Sequence, residues 1–225
     1  MKNLTLLIPA KNEEYSLPKV LDEIKDIDCK KFIVLSKSDT KTIRSIKNYK
    51  CKIIKQKDNG YGNALIEGIN IVKTDYLCIF NADGSFDPKY LKIMKKKMSP
   101  KNCFLFASRY IRGGGSADDS LLTLIGNKLF TFIGQIFFRL KISDILFTYI
   151  MGETNKFKKL KLQNSDFRIC VEIPIKIKRN NFKYNSIPSF ERKRLGGVKK
   201  VNEFRDGFLI LSELVKNYLV KYEKN

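Results

Sequence analysis

Histidine is missing altogether from these 225 residues. That removes imidazole acid–base catalysis, serine–histidine triads and histidine metal ligands together. Chemistry must come from carboxylates, cations, hydroxyls and metal. Disulfide frames and cysteine zinc sites are excluded on another ground. Cys29, Cys51, Cys78, Cys103 and Cys170 are odd in number, scattered and without a CxxC pair. Three of them, Cys51, Cys78 and Cys103, begin or lie in apolar runs, so reduced thiols in or near the core of a cytoplasmic protein are expected. Repeats, low-complexity linkers and a signal segment are also lacking, since the apolar run 4–8 is short and meets Pro9 directly. The longest apolar stretch, 121–140, is interrupted by Asn127, Lys128, Gln135 and Arg139, which argues against a spanning helix. A soluble or peripherally membrane-bound protein remains.

What is abundant is positive charge, a formal +21. One reading is an electrostatic footprint for phosphorylated substrates, anionic membrane or nucleic acid. The other is compositional drift in a chain rich in Lys, Asn and Ile, so only local clusters carry weight. No nucleic-acid module is recognisable, and no nucleic-acid partner is expected.

The first hundred residues alternate apolar runs (4–8, 32–35, 51–54, 76–80, then 104–107) with helical patterns such as Leu17, Val20, Leu21 and Ile24. Asp87-Pro88 supplies a cap and first-turn proline for a helix through Met98. This pattern predicts a single doubly wound, mostly parallel α/β sheet with a helical C-terminal portion. Residues 1–201 form the catalytic region, and 202–225 an amphipathic helix docked on it or on a membrane. Ligands in such sheets sit at the carboxyl ends of strands.

Three segments lie there. Pro9-Ala10-Lys11-Asn12-Glu13-Glu14 follows the first strand. Asn59-Gly60-Tyr61-Gly62-Asn63 opens a helix, where glycines let backbone amides approach a phosphate. Asn81-Ala82-Asp83-Gly84-Ser85 follows the fourth strand, and Asp83 there can hold a hard divalent cation against a diphosphate, with Asn81 as second ligand.

Together these segments resemble the family 2 glycosyltransferases, with the dolichyl- and polyprenyl-phosphate sugar synthases as the nearest type. Residues 9–14 match P-A-x-N-E-E, Asn81-Ala82-Asp83 stands for D-A-D, and 107–115 is similar to S-R-Y-x-x-G-G. Ser143-Asp144 looks like the acceptor-side segment, and Phe190 to Arg194 with Lys199 and Lys200 like the closing cationic motif. The resemblance implies the GT-A, nucleotide-diphospho-sugar transferase fold and a Mg²⁺ or Mn²⁺ cofactor. It also implies a nucleotide-diphosphate sugar donor contacting Pro9, Ala10, Asn12, Glu13, Gly60 and Gly62. Arg109, Arg112, Arg192 and Arg194 are the implied catalytic cations. The acceptor is a polyprenyl phosphate, with a hydroxyl of a cell-surface glycan as the alternative.

Three departures follow. Asn81 removes one negative charge and should weaken cation affinity. The base-recognising acidic pair is replaced by Leu35-Ser36, with Asp39 as a stand-in. No counterpart of the transmembrane extension of some relatives is expected. A glycan acceptor would need a general base, from Asp118, Asp119, Asp144, Asp166 or Glu172, whereas a lipid phosphate would not. In 121–140 a polar stripe (Thr123, Asn127, Thr131, Gln135, Arg139) runs along an apolar cylinder. It suits either a buried or dimer-interface helix or one lying in the membrane interface.

Overall fold

The computed structural model describes residues 3–196 and 202–222, with side-chain placement through 219. Lys199 and Lys200 of the basic segment lie outside the described residues. Apolar runs too short for helices become strands: β1 (Leu4–Pro9), β2 (Lys30–Leu35), β3 (Lys52–Lys55), β4 (Tyr76–Ile79), β5 (Phe104–Ser108), β6 (Gly115–Ser116), β7 (Ile150–Glu153), β8 (Tyr184–Pro188) and β9 (Phe190–Glu191). The helices are α1 (Leu17–Glu23), α2 (Thr40–Ser45), α3 (Tyr61–Ile71), α4 (Lys89–Lys97), α5 (Leu121–Phe138), α6 (Thr154–Lys159), α7 (Ile169–Arg179) and α8 (Glu203–Tyr222).

Seven strands form one sheet in the order β3-β2-β1-β4-β7-β5-β8. All its pairings are parallel except those of β7, which runs antiparallel between β4 and β5. The insertion of β7 was not foreseen: four residues, one of them Gly152, give no readable alternation. That glycine is required by packing, since a Cβ there would stand 2.4 Å from the Phe104 ring. The sheet is buried on both faces. Leu7, Val34 and Ile79 point to one core with α3 and α7, while Leu6, Ile8 and Ile33 point to the other. Chain order reverses between β1 and β4, so the crevice expected at a topological switch point opens at Pro9 and Asn81.

By length and composition α5 suffices to cross a membrane. Its polar stripe is nevertheless bonded into the protein. Asn127 Nδ2 donates to the Tyr110 hydroxyl at 2.9 Å, and Thr131 Oγ1 accepts from Ile145 N–H at 3.1 Å. Gln135 Nε2 donates to Ile142 O at 2.8 Å. Arg139 ends the helix in the left-handed region, φ 53°. The inner side of α8 places Ile210 and Leu214 in the core shared with α3 and α7.

Candidate active site

The chain leaves β1 at Pro9 and turns at Asn12, whose φ of 54° is one that asparagine tolerates. The Asn12 N–H donates to Asp39 Oδ2 at 2.7 Å, and the Glu13 N–H donates to Thr42 Oγ1 at 2.9 Å. Asp39 Oδ1 accepts from Thr42 N–H and caps α2. Asp39 was expected beside the nucleobase. It does line the cleft, but both its oxygens are engaged in tying the loops after β1 and β2 together.

Gly60 and Gly62 require a correction. A Cβ would stand 2.2 Å from Ser165 O at Gly60, and 2.0 Å from Asn164 O at Gly62. The Asn63 N–H donates to Ser165 O at 3.1 Å. The Cα of each glycine is therefore packed against another stretch of chain; Gly60 also lines the cleft, whereas Gly62 does not. Glu172 fixes that stretch, accepting from the backbone N–H groups of Gln163 and Asn164. Gly62→Ala is expected to cost ~1–3 kcal/mol by overpacking, read as a lower midpoint in thermal unfolding. An unchanged midpoint would reject this close packing of Gly62 against Asn164.

After β4, Asp83 Oδ1 accepts the Ser85 N–H at 2.9 Å, and Asn81 Nδ2 donates to Ser85 Oγ at 3.1 Å. Gly84, at φ 82°, lets the loop turn back under Leu195. The segment after β9 is stitched to this loop. Leu195 N–H donates to Asp83 O at 2.7 Å, and Arg192 N–H to Ser85 O at 2.9 Å. The Arg192 guanidinium donates to Gly84 O, Phe86 O and Glu23. Arg192 is therefore a clamp on the Asp83 loop rather than a cation facing the cleft, because carbonyls and a carboxylate engage both its Nη atoms. Arg112 is exposed and is not among the cleft-lining residues. Arg194 does line the cleft, paired with Asp118 at 2.5 Å. That hydrogen bond, with some opposition from burial, holds its guanidinium above the ordinary value.

Arg109 also departs from expectation. Its Nε and Nη2 donate to the two oxygens of Asp144 at 2.7 and 2.9 Å. Its Nη1 donates to Asp119 and Glu191, each at 3.1 Å. Burial would lower this guanidinium, but Asp144 and Glu191 more than offset it and hold the group above its ordinary value. Burial pushes the Glu191 carboxyl up, against the pull of Arg109. With most of its N–H donors on carboxylates, Arg109 stands at the cleft wall as the hub of a buried ion cluster. Sequence reading missed this hub because its partners lie 35 and 82 positions away.

These parts surround one cleft of about 1030 Å³ that brings together Pro9, Ala10, Asn12, Glu13, Asp39, Gly60, Asn81, Asp83, Arg109 and Arg194. Gly62, Arg112 and Arg192 are not on its lining. The cleft also has Ser36, Ser38 and Gln56 at one end, none of which was singled out from sequence as a ligand. Ser36 and Ser38 follow β2 and Gln56 follows β3, so only their places at strand ends could have pointed to them. Among the described residues, carboxylates outnumber cations along the lining, whose basic residues are Lys11, Arg109, Arg194 and Arg205.

Residues 5–161 match the model of glycosyl transferase family 2. The chain belongs to this family. It is a glycosyltransferase of the nucleotide-sugar type. Solved structures similar to the family 2 chain include mannosyl-3-phosphoglycerate synthase from Rubrobacter xylanophilus. That match has TM-score 0.74 and 13% identity over 99% of this chain and 75% of that one. Glucosyl-3-phosphoglycerate synthase from Mycobacterium tuberculosis, in complex with Mn²⁺, uridine diphosphate and glucosyl-3-phosphoglycerate, matches with TM-score 0.74. Identity is 12% over 95% of this chain and 78% of that one. At such identity the likeness shows the shared fold.

The donor set of this family 2 cleft can be weighed for a metal. Among the described residues no three His, Cys, Asp or Glu side chains converge on one centre. Asp83 Oδ1 is held by the Ser85 N–H, while its carboxylate carries a second oxygen, and Asn81 offers an amide oxygen. One carboxylate with a neutral oxygen suits a cation that takes its remaining ligands from phosphates and water. The set fits Mg²⁺ or Mn²⁺ arriving with a diphosphate.

Proposed function

We propose that the chain transfers a sugar from a nucleotide-diphosphate sugar to a polyprenyl phosphate at the cytoplasmic face of a membrane. The observation carrying this reading is that one cleft runs from the polar ends of β1 and β4 to Leu129, Phe130, Leu209 and Ile210, between α5 and α8. A donor occupies the polar end, over Pro9, Ala10, Asn12 and Glu13, and an apolar tail leaves by the other. Asp83 and Asn81 would hold Mg²⁺ or Mn²⁺, which when bound neutralises the leaving diphosphate. An oxygen of the acceptor phosphate attacks the anomeric carbon, and the bond from that carbon to the diphosphate breaks. Arg194 stands close enough to Asp83 for their charges to interact, and with Lys11 is available to oppose the departing charge.

The tied-down carboxylates favour a phosphate acceptor over a glycan hydroxyl. Asp144 is bonded to Arg109 and Asp118 to Arg194, while Asp119 accepts from Arg109 and Tyr110. Glu172 holds backbone N–H groups, and Arg168 holds Asp166 below the usual carboxylate range. All five are engaged by donors of the protein itself, and a phosphomonoester, whose second pKa is about 6, requires no base. Radiolabelled nucleotide sugars, supplied with Mn²⁺ and either polyprenyl phosphate or soluble glycan, test the reading. Label is expected in the organic phase with the lipid phosphate alone. Label appearing only on the water-soluble glycan would move the chain to the hydroxyl-acceptor alternative.

A further inference from the structure

A surface helix in water turns its polar side outward. Helix α5 does the reverse. Of its polar stripe, Asn127 and Thr131 are buried against the protein, with Asn127 only 4% exposed, and Thr123 is half-buried, while Phe132 and Ile136 are 58% and 57% exposed. The outward residues Leu121, Ile125, Leu129, Phe132 and Ile136 recur every three or four positions, so they form one continuous ridge. A second ridge runs along α8 through Phe204, Phe208, Leu211, Val215 and Leu219, with Phe208 72% exposed.

The two helices lie side by side and run parallel. Thr123 bonds Glu203 near one end, and the rings of Phe137 and Tyr218 meet at 5.1 Å near the other. The ridges therefore sit on adjacent cylinders. An apolar surface of this extent marks an interaction site.

Charge identifies the occupant. Among the described residues of α5 and α8 the exposed charged side chains are Lys128, Arg205 and Lys216, all positive. Of the acids of α8, Asp206 and Glu213 are buried, where Asp206 accepts from the Asn202 N–H and Glu213 from Asn217 Nδ2, and Glu203 is half-buried and accepts from Thr123 Oγ1. A two-fold contact with a second copy sets the same patch against itself and would bring these cations toward their own images. An anionic bilayer surface pairs each with a headgroup while accepting the apolar ridges.

We propose that α5 and α8 together form a docking face that lies in the interface of an anionic membrane, with both ridges inserted. The N-terminal ends of both helices line the cleft at Leu122 and Phe204, so docking would place the cleft mouth at the lipid surface. This extends the acceptor reading given above to a whole surface. The test uses vesicles free of polyprenyl phosphate, so that failure to dock and failure to transfer are separate results.

The full chain is floated with vesicles of phosphatidylglycerol and phosphatidylcholine, and with phosphatidylcholine alone, beside light scattering of the free protein. The wild type is expected to float with the anionic vesicles, less with neutral ones, and less at high salt. The triple variant Phe132→Asp, Ile136→Asp, Phe208→Asp should reduce the floated fraction roughly tenfold or more. It changes exposed side chains only, and its thermal midpoint checks that it folds. Three results overturn the proposal. The first is a wild type that stays unbound with both vesicle types. The second is a folded triple variant that floats as well as the wild type. The third is a wild type that ignores vesicles and scatters as a dimer that the triple variant turns into a monomer, which assigns the face to a second copy.

Discussion

Asp83→Asn is expected to lower transfer by roughly 10²–10³-fold while leaving the fold intact, because a metal's stabilisation of departing charge is worth several kcal/mol. The reason to choose asparagine lies in the local geometry. Asp83 Oδ1 accepts the Ser85 N–H, and an amide oxygen can accept it equally well, so the turn survives and only the charge is lost. Binding gives a second readout. A nucleoside diphosphate at a hundred times its Kd stabilises the native state by ~2.7 kcal/mol. That gain should require Mn²⁺ in the wild type and be largely absent from the variant. Asn81→Asp is the converse change, adding a negative charge beside Asp83, and should lower the Mn²⁺ concentration needed for half-maximal transfer. Activity within threefold of wild type in Asp83→Asn, at equal Mn²⁺, would remove this carboxylate from the mechanism.

Arg109→Leu should unfold the protein more readily than any substitution in the cleft wall described above. The change strands Asp144, whose side chain is fully buried, together with Asp119 and Glu191. Breaking a buried pair from one side costs about 3–5 kcal/mol, because an uncompensated charge is left behind. For a chain of this size that is a fall of roughly 6–20 °C in Tm. The loss should depend on pH with a definite sign. Burial already raises Glu191 above its ordinary 4.5, and Arg109 is the main influence pulling it down. Without Arg109 it rises further. A carboxyl raised in the fold contributes stability that is complete below its unfolded pKa and disappears as pH climbs through the folded one. The deficit of Arg109→Leu should therefore be smallest in acid and grow toward neutrality. Unfolding curves from pH 4 to pH 8 measure it. A deficit that is flat with pH, or under 1 kcal/mol, would mean that the cluster is not the buried hub described.

How much of this was legible from sequence depends on how local each cause is. β1, β2, β4 and β5 were readable because a strand buried on both faces needs an unbroken apolar run. The loops after β1 and β4 were locatable for the same reason, since they begin where those runs stop. Strand β7 was not, because its place between β4 and β5 is decided by partners such as Cys78 and Leu105, 73 and 46 positions before Met151, not by its own pattern. Gly60 and Gly62 were seen as significant, but a glycine tells only that something comes close. The something proved to be the carbonyls of Asn164 and Ser165. Arg109 is a similar case: a guanidinium in a phosphate-type loop and one in a carboxylate cluster look alike until Asp144 and Glu191 are brought beside it. The stripe on α5 was found with its correct residues, while the direction it faces was left open.

The stitching of residues 192–195 onto residues 83–86 has an evolutionary consequence. Positions 192 and 84 are 108 apart in the chain yet share a hydrogen bond. A lineage exploring new acceptors by altering its C-terminal stretch would disturb the carboxylate on the donor side at once. Taste for one substrate and grip on the other are inherited as a single trait.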